Sequence, residues 1–412
     1  MKVMLACHRL PYPPKRGGKI RPFNIIRHLT ESAHTVTVAS LARSADELLE
    51  GQGLRDYCDE LLVGKVGKAS STAQMIARLP TTSPSSMGYF YSRSLHRDVR
   101  EELQRAAYDL IFVHCSSAAQ YIRSALGVPS ILDFGDMDSQ KWLDYSTYRR
   151  FPVSTGYWLE GTKLLREEKR LARQFDMCTC TTRAELGTLD ELGAARQSGW
   201  FPNGVDAEYF APTDKPYDPD QICFIGRMDY YPNQQAMIFF CNEVMPLIQA
   251  QRPATRLIVV GAEPSPEIRA LAHKPGVTVT GTVPDVRPPV RASALSVAPL
   301  FIARGTQNKI LESMAMGVPV VCSERAANGV DAVPNEHLLT AGTTDVWVER
   351  ITGIMNSSEE RQRLSEAGRN RVLSHHSWSA SMRKLNAIVA SVTETPARRI
   401  TPAAVTGNGI PV

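Results

Sequence analysis

The sequence has no long apolar run. No stretch approaches the roughly 18 apolar residues of a membrane-spanning helix, so we expect any membrane contact to be peripheral. The start, MKVMLACHRL, has one basic residue ahead of a short apolar run, and Met4 stands where a lipoprotein signal has an aliphatic residue. We therefore expect a first strand here and a cytoplasmic protein, with contact at the inner face of the cytoplasmic membrane left open.

Disulfide and metal-ligand patterns are also missing. The eight cysteines include no CxxC pair and none has a histidine at ligand spacing. Most lie in apolar runs and are interpreted as reduced core residues, as is typical of a cytosolic protein. They are Cys7, Cys58, Cys115, Cys178, Cys180, Cys223, Cys241 and Cys322.

Neither sign of charge is in large excess. The formal net charge is +5 over 412 residues, which favours anionic small molecules or lipid headgroups over a nucleic-acid partner. With 43% apolar and 22% charged residues, the composition excludes extended disorder. The length predicts two domains of about 200 residues each.

Several catalytic motifs are absent as well. No GxGxxG follows a strand, and GxxxxGK[ST], HExxH and GxSxG do not occur, so dehydrogenase, P-loop and serine-hydrolase functions lose their main support. The DFG at residues 133–135 is also found in protein kinases. No glycine-rich loop with a partner lysine and no HRD precede it, and the kinase interpretation fails.

Short apolar runs rich in β-formers alternate with segments of helical periodicity. This alternation predicts α/β domains with parallel sheets wrapped by helices. A Pro/Asp-rich connector follows the first series of strands and predicts two doubly wound domains with a hinge near residues 200–220. The predicted strands are 2–7, 35–42, 60–64, 110–114, 130–134 and 177–182 in the first series, then 222–226, 256–261, 277–281, 295–300 and 318–323.

The end of the chain has three helical patterns, at 344–355, 357–374 and 378–392. We predict a first domain over residues 1–200. A second domain follows over 201–375. Residues 394–412 have turn formers and no periodicity, and we expect a disordered tail.

Ligands of doubly wound sheets bind at the carboxyl ends of strands, and phosphates favour the helix starts that follow. Gly17-Gly18 precedes a predicted helix after the first strand, where backbone amides can approach an anion. Nearby basic residues would add charge, although an ordinary strand-to-helix loop explains the glycines equally well. These residues are Lys15, Arg16, Lys19 and Arg21.

Two further helix starts have the same character. Arg227 follows the strand ICFIG and can clamp a pyrophosphate, or it can form a surface salt bridge. The segment RGTQNKILE begins at Arg304; Lys309 can add charge to a phosphate site and Glu312 can accept two ribose hydroxyls. Its backbone amides for the phosphate come from Gly305, Thr306, Gln307 and Asn308. Helix-dipole chemistry explains this segment when it is taken alone, but three such starts together suggest a diphosphate held in the cleft.

Polar side chains also end two strands of the first domain. His114 ends the strand LIFVH and can bind a substrate hydroxyl or a reacting sugar, or act as a core or capping histidine. Asp133, Asp136 and Asp138 follow the next strand. They can orient an acceptor or donor-sugar hydroxyl, and helix capping is slightly favoured.

Taken together, these motifs resemble those of the family 4 glycosyltransferases of the GT-B fold, which are retaining enzymes. The resemblance covers almost the whole chain. It rests on the Gly17-Gly18 loop, FPNGVDAEYF (201–210), FIGRM with Arg227, GTVPDV (281–286), GTQNKILESMAMGVPVV and the late Ser377-Trp378. The RGTQNKILE variant resembles sugar transferases found beside bacterial exopolysaccharide and PEP-CTERM (exosortase) systems.

The resemblance implies roles for individual residues. Gly18 and its helix would contact the donor diphosphate, and Arg227 would neutralise it. Glu312 would bind the ribose and His114 would lie beside the donor sugar. It also implies that residues 1–200 form an acceptor domain, that residues 201–375 form a nucleotide-sugar donor domain, and that GTVPDV lies near the base. The last helix, at about 376–393, would cross back and complete the first domain.

The chain departs from the family pattern at two points. The first glutamate of the paired-glutamate motif is replaced by Arg304, which can meet an anionic donor sugar or form a structural salt bridge. The lysine that usually follows the GR pair by about five residues is missing, because the region reads YYPN with Pro232 and Asn233. We predict that Lys309 supplies the missing charge.

The predicted reaction is transfer of a sugar from a nucleotide-diphosphate sugar to a hydroxyl acceptor, either a glycan or a lipid-linked molecule, with retention. We expect no cofactor and no metal, because no DxD stands where metal-dependent transferases carry one. Two alternatives stay open: a nucleotide-sugar-binding module with little catalysis, suggested by the lost glutamate, and an epimerase of similar fold. The oligomeric state, donor and acceptor are not predicted.

Overall fold

The computed structural model describes residues 1–14, 17–122 and 127–394. Two parallel sheets with helices on their faces confirm the predicted fold class. The first sheet has the order β3-β2-β1-β4-β5-β6-β7. Its strands are β1 (Lys2–Cys7), β2 (Thr35–Ala42), β3 (Glu60–Lys65), β4 (Leu110–His114), β5 (Ser130–Gly135), β6 (Met177–Cys180) and β7 (Ser198–Trp200).

Helices and short turns cover this sheet. The helices are α1 (Gly17–Glu31), α2 (Ala45–Glu50), α3 (Lys68–Ala77), α4 (Ser85–Tyr89), α5 (Arg93–Arg105), α6 (Asp138–Tyr148), α7 (Val153–Ala172) and α8 (Arg183–Glu191). Short 3-10 helices lie at Gly51–Tyr57 and Ser116–Tyr121.

The second sheet is also entirely parallel, in the order β10-β9-β8-β11-β12-β13. Its strands are β8 (Asp218–Ile225), β9 (Arg256–Val260), β10 (Val277–Gly281), β11 (Ser293–Ala298), β12 (Val320–Cys322) and β13 (Leu339–Thr340). Its first helices are α9 (Tyr231–Phe239), α10 (Met245–Gln251), α11 (Pro266–Ala270) and α12 (Arg287–Arg291). A π-helical turn (Phe240–Val244) joins α9 to α10, and a 3-10 turn (Leu271–His273) follows α11. The remaining helices are α13 (Asn308–Ala315), α14 (Glu324–Ala327), α15 (Thr344–Asn356), α16 (Ser358–His375) and α17 (Trp378–Thr393).

Burial on both faces explains why the central strands read as continuous apolar runs. In β1, Met4 and Ala6 pack into the core on one face of the sheet. Val3, Leu5 and Cys7 pack into the core on the other face, since successive side chains of a strand point in opposite directions. β7 and β13 were not predicted, because strands of three and two residues form no apolar run.

The two sheets flank the predicted hinge, since β7 ends at Trp200 and β8 begins at Asp218. The last helix, α17, crosses back: Met382, Leu385 and Val389 join a core of the first sheet. All eight cysteines are unpaired. The predicted disordered tail lies outside the described residues, apart from Glu394. None of the helices within 1–14, 17–122 and 127–394 has the length and apolar character needed to cross a membrane.

Two motifs distant in the sequence meet where the chain crosses between the domains. The Val205 amide donates to the His376 carbonyl at 2.8 Å, beside a bridge between Val205 and Ser377. A Cβ on Gly204 would come within 2.5 Å of the Trp378 ring, so only glycine fits under this indole. The PNGVD and SW motifs are therefore two sides of one contact.

Candidate active site

Three helices begin at the carboxyl ends of strands, as the sequence predicted: α1 after β1, α9 after β8 and α13 after β11. The starts of α1 and α13 face each other, because a Cβ on Gly17 would lie 3.8 Å from the side-chain nitrogen, Nδ2, of Asn308. Gly18 faces open space. Neither α9 nor α13 has a side-chain cap at its N-terminus. In α13 this leaves the first backbone N–H groups available to a ligand, whereas α9 has Pro232 in its first turn and its Asn233 N–H donates to the Tyr230 carbonyl at 3.0 Å.

The loop before α13 touches the first domain directly. Gly305 has a φ of +62°, and a Cβ there would come within 1.8 Å of an Asp136 carboxylate oxygen. Both the backbone conformation and this close approach require glycine. The loop that leads into α13 and the loop after β5 therefore form one wall across the cleft.

The other polar groups of this loop are partly engaged. The Gln307 side chain folds back to donate to the Arg304 carbonyl at 3.1 Å, and the Gln307 backbone amide donates to the Gly329 carbonyl at 3.4 Å. The Thr306 hydroxyl has no partner in the described part of the chain. Thr306 borders a cavity of about 470 Å³ between the domains.

Two of the four basic residues near the start of α1 lie within the described part of the chain, and both pair with carboxylates. Lys19 forms a salt bridge to Glu47 at 3.0 Å. Arg21 is buried and forms a bidentate salt bridge with Asp133 at 2.8 and 2.9 Å. The burial and bidentate pairing of Arg21 contradict its predicted role at a phosphate, whereas the role of Lys19 stays a prediction; Lys15 and Arg16 lie outside the described residues.

The buried Arg21 is part of a network that includes His114. The Asp133 carboxylate lies 2.8 Å from Nδ1 of His114 and accepts from the Thr179 hydroxyl at 2.9 Å. Burial raises the pKa of Asp133, but the charge of Arg21 and the hydrogen bonds from His114 and Arg21 outweigh it and hold this pKa well below its usual range. Asp133 thus fixes the orientation of the His114 ring at the cleft end of β4.

The slightly favoured capping role of the three aspartates was wrong. The residue at the N-cap of α6 is Met137, which makes no side-chain cap, and Asp133 lies inside β5. Asp136 accepts a hydrogen bond from the Thr181 hydroxyl at 3.0 Å, and burial raises its pKa. Asp138 forms a salt bridge to Lys141 at 2.9 Å.

Arg227 lies at the end of β8 and is held by two carboxylates. Its Nε and Nη2 donate to Asp229 at 3.0 and 2.8 Å, and Nη2 also donates to Glu263 at 2.6 Å. These contacts fix the guanidinium at the mouth of the cleft and partly neutralise it. Beside Glu263 lies a cavity of about 510 Å³, within the roughly 300–1,000 Å³ common for ligand pockets. Gly281 and Thr282, the start of GTVPDV, line this cavity.

Lys309 has a different environment. Its ammonium donates to the Asn233 side-chain oxygen at 2.6 Å and lies 4.9 Å from the centre of the Phe224 ring. Among the described residues, no carboxylate lies within ion-pair distance of it. Burial lowers the pKa of Lys309 to about 8, opposed by the charge of Glu312. An anion entering here would therefore meet a desolvated cation with no carboxylate in direct contact.

Glu312 lies one turn after Lys309 on α13. Burial raises its pKa to about 7, and the charge of Lys309 opposes this shift. Asn233 connects this pair to the other candidate cation, because its amide nitrogen donates to the Arg227 carbonyl at 2.8 Å while its oxygen accepts from Lys309. Asn233 thus lies in the YYPN region and holds the ammonium of Lys309, the residue predicted to supply the missing charge.

Arg304 links the two domains. Its Nε donates to Asp144 on α6 at 2.9 Å, and its Nη1 lies 3.5 Å from Glu185 on α8. The sequence left two roles open for Arg304, contact with an anionic donor sugar or a structural salt bridge, and the geometry shows the salt bridge. Burial and the neighbouring Asp136 raise the pKa of Glu185, and Arg304 partly offsets this.

The sequence interpretation missed the carboxylates that hold these cations, namely Asp144, Glu185, Asp229 and Glu263. The one local signal was Asp229, two residues after Arg227; the others are distant in the chain. No group of His, Cys, Asp and Glu side chains suited to a metal ion occurs in the part of the chain that the structure describes.

Solved structures of low sequence identity share this fold. Sucrose-phosphate synthase from Thermosynechococcus elongatus aligns with a TM-score of 0.68 at 16% identity, covering 96% of this chain and 99% of that one. HepE from Anabaena, in complex with UDP, aligns with a TM-score of 0.67 at 14% identity over 95% and 100% of the chains. A glycosyltransferase from Rickettsia africae gives 0.63 at 12% identity over 96% and 99%.

No curated protein sequence matches the chain. Family models match both of its halves, however. Residues 16–209 match the model described as Glycosyltransferase Family 4, and residues 219–357 match the model described as Glycosyl transferases group 1. Two glycosyltransferase models thus follow one another along a chain with two facing parallel-sheet domains, and the protein is a glycosyltransferase of the GT-B fold.

Proposed function

We propose that the protein transfers a sugar from a nucleotide-diphosphate sugar to a hydroxyl acceptor, with retention at the anomeric carbon. The observation that carries the proposal is the start of α13: an uncapped helix N-terminus faces Gly17 across the cleft through Asn308, and Lys309 and Glu312 lie on the same first turns. These groups suit a diphosphate and a ribose. The complex of the similarly folded HepE with UDP supports a uridine nucleotide as the first donor to test.

Stabilising the departing diphosphate is the main chemical requirement of this reaction. Lys309, Arg227 and the amides at the start of α13 supply positive charge from the donor domain. His114, oriented by Asp133, would contact the sugar from the acceptor domain. These groups can act without a metal or other cofactor, which we keep as part of the proposal; retention is proposed from the family resemblance.

We expect the purified chain to release nucleoside diphosphate from one nucleotide sugar only when a hydroxyl acceptor is present, and to do so in excess EDTA. The assay scans UDP- and GDP-sugars against glycan and lipid-linked acceptors, and NMR of the product gives the anomeric configuration. An inverted product would contradict retention. Product from the donor alone would indicate an epimerase, and tight donor binding without turnover across the panel would indicate a binding module.

We further propose that the acceptor is lipid-linked or a growing exopolysaccharide, made at the inner face of the cytoplasmic membrane. The supporting feature is the hairpin tip, which we define as residues 148–159, from the last residue of α6 through the connecting loop into the first turns of α7. It exposes Tyr148 (43%), Phe151 (82%), Val153 (53%), Trp158 (54%) and Leu159 (39%). No acidic residue occurs in this segment, and Arg149 and Arg150 are both exposed.

The hairpin tip lies beside the cleft. The Arg149 guanidinium stacks 3.8 Å from the centre of the Tyr231 ring, and Tyr231 begins α9 of the donor domain. Exposed aromatic rings next to arginines suit a membrane interface with anionic headgroups. A membrane bound here would be next to the cleft, where a lipid-linked acceptor could enter.

We expect the protein to sediment with vesicles of phosphatidylglycerol and phosphatidylcholine, and F151S/W158S to lower this partitioning roughly tenfold or more, since each ring that leaves the interface loses apolar burial. The matched control is L49S/L247S, which removes two exposed apolar side chains elsewhere. Equal losses in both double variants would contradict the proposal, as would undiminished binding by F151S/W158S. Loss of a concentration-dependent dimer in F151S/W158S, without any vesicle binding by the parent, would instead assign the tip to a second copy of the chain.

A further inference from the structure

A cluster of basic side chains lies on the acceptor side of the cleft, directly after the first two strands. We define the basic cluster as His8, Arg9 and Arg43. His8 and Arg9 follow β1 and Arg43 follows β2, so all three lie at the carboxyl edge of the sheet. This edge is where doubly wound domains bind ligands.

Two aromatic rings bring the cluster together. Phe90 contacts the His8 ring edge to face at 5.0 Å and lies 5.9 Å from the Arg9 guanidinium. Tyr89 packs against Phe90 at 5.2 Å, and its ring lies 5.1 Å from the Arg43 guanidinium, which also donates to the tyrosine hydroxyl. The two guanidinium groups are therefore held on neighbouring rings.

The cluster has no direct ion pair, although the charge of Glu47 acts on Arg9 and Arg43 from a longer distance. Every Asp and Glu of the sequence lies within the described residues, and none of them forms an ion pair with Arg9 or Arg43. Glu47 is engaged elsewhere: it pairs with Lys19 and accepts from the backbone amide of Arg43. Nε of Arg9 and Nδ1 of His8 are buried without a hydrogen-bond partner in the described structure.

Such an arrangement is costly in the absence of a ligand. Burial, followed by the charge of Arg43, lowers the pKa of Arg9. Burial, followed by the charge of Arg9, also lowers the pKa of His8. Unpaired, partly desolvated cations and buried donors without acceptors are both unfavourable, and an oxyanion would satisfy them together.

We propose that the basic cluster binds an oxyanion carried by the acceptor, either a phosphate or a carboxylate. The proposal rests on the proposed transferase function and adds the chemical class of the acceptor. The His8 and His114 rings lie 6.2 Å apart, which places the oxyanion about one sugar ring away from the predicted reacting centre. The groups assigned to the donor diphosphate, Arg227 and Lys309, belong to the opposite domain.

The test uses the full chain saturated with UDP, titrated by calorimetry with inorganic phosphate and, separately, with glucuronate. We expect saturable binding of at least one of them, which identifies the source of the oxyanion, and an affinity loss of at least tenfold in R9Q/R43Q. The UDP affinity of this variant should stay within about twofold of the parent. The matched control, R97Q/R100Q, removes two charges from exposed positions on α5 and should bind like the parent.

The proposal is overturned if neither anion binds the UDP-loaded parent, or if R9Q/R43Q binds the anion as tightly as the parent does. It is also overturned if the UDP affinity of R9Q/R43Q falls by the same factor as its anion affinity, which would assign the arginines to the donor site. R43Q alone serves if the double variant does not fold. Titration without UDP separates the proposal for the basic cluster from the proposed transferase function. A parent that binds no nucleotide but still binds phosphate through Arg9 and Arg43 contradicts the donor site and leaves the basic cluster intact.

Discussion

Replacing Lys309 by alanine is expected to lower kcat/KM about 10²- to 10³-fold, the usual loss when one preorganised donor to a developing oxyanion is removed. Lys309 is singled out by its surroundings. Its ammonium has an amide oxygen and an aromatic ring as neighbours, whereas Arg227 already has two carboxylates. A cation without a competing anion contributes more to a departing diphosphate, and we expect the loss in R227A to be smaller, about tenfold to a hundredfold.

Lys309 and Glu312 together predict the pH dependence of donor binding. Lys309 is charged below its pKa of about 8 and Glu312 is charged above its pKa of about 7. Affinity for the nucleotide should therefore be highest between these values, falling at higher pH as Lys309 loses its proton and at lower pH as Glu312 gains one. K309R is the matched variant: it should retain substantial activity and lose the alkaline limb, because arginine stays protonated.

Calorimetric titration of UDP from pH 6 to 9 and steady-state kinetics check both expectations. Near-parental kcat/KM in K309A would refute the assignment of Lys309 to the diphosphate. An alkaline limb that persists unchanged in K309R would show that another group titrates there.

The fold was predictable from the sequence because its signals are local. Buried parallel strands such as β1 and β4 require apolar side chains on both faces, and helices α15, α16 and α17 carry their own periodicity. The proximity of Lys309 and Glu312 could also be predicted from the sequence, since both residues lie on the first turns of one helix that follows one strand.

Contacts between distant residues were not predictable in this way. Arg21 and Asp133 are 112 positions apart, and Arg304 and Asp144 are 160 positions apart. A charge at a helix start has the same sequence signature whether it awaits a phosphate or pairs with a buried aspartate. Arg21 was assigned to an anion site for that reason, and only the three-dimensional fold shows which anion it meets.

The buried salt bridge between Arg21 and Asp133 has a large expected effect on stability. Arg21 donates two hydrogen bonds to Asp133 and further ones to the Phe201 carbonyl at 2.9 Å and the Asn203 side chain at 3.1 Å. Its guanidinium also stacks 3.6 Å from the centre of the Phe201 ring. One side chain therefore ties α1 and β5 to the start of the interdomain connector.

We expect Arg21→Met, which keeps an unbranched apolar stem and removes the guanidinium and its charge, to lower the free energy of unfolding of the first domain by about 3–5 kcal/mol. The reason is that Asp133 would remain buried with only His114 and Thr179 as partners. Urea unfolding followed by tryptophan fluorescence measures the change.

The matched control lies on the same helix. Arg27 is partly exposed and pairs with Glu31 at 3.7 Å, so Arg27→Met should change the free energy of unfolding by no more than about 1 kcal/mol. The double variant R21M/D133N removes both buried charges and should be more stable than the sum of the two single losses predicts, because neither charge is left unpaired. If R21M and R27M unfold at the same urea concentration, or if the two losses in R21M/D133N simply add, the buried pair does not hold this domain together, and the orientation of His114 must depend on other contacts.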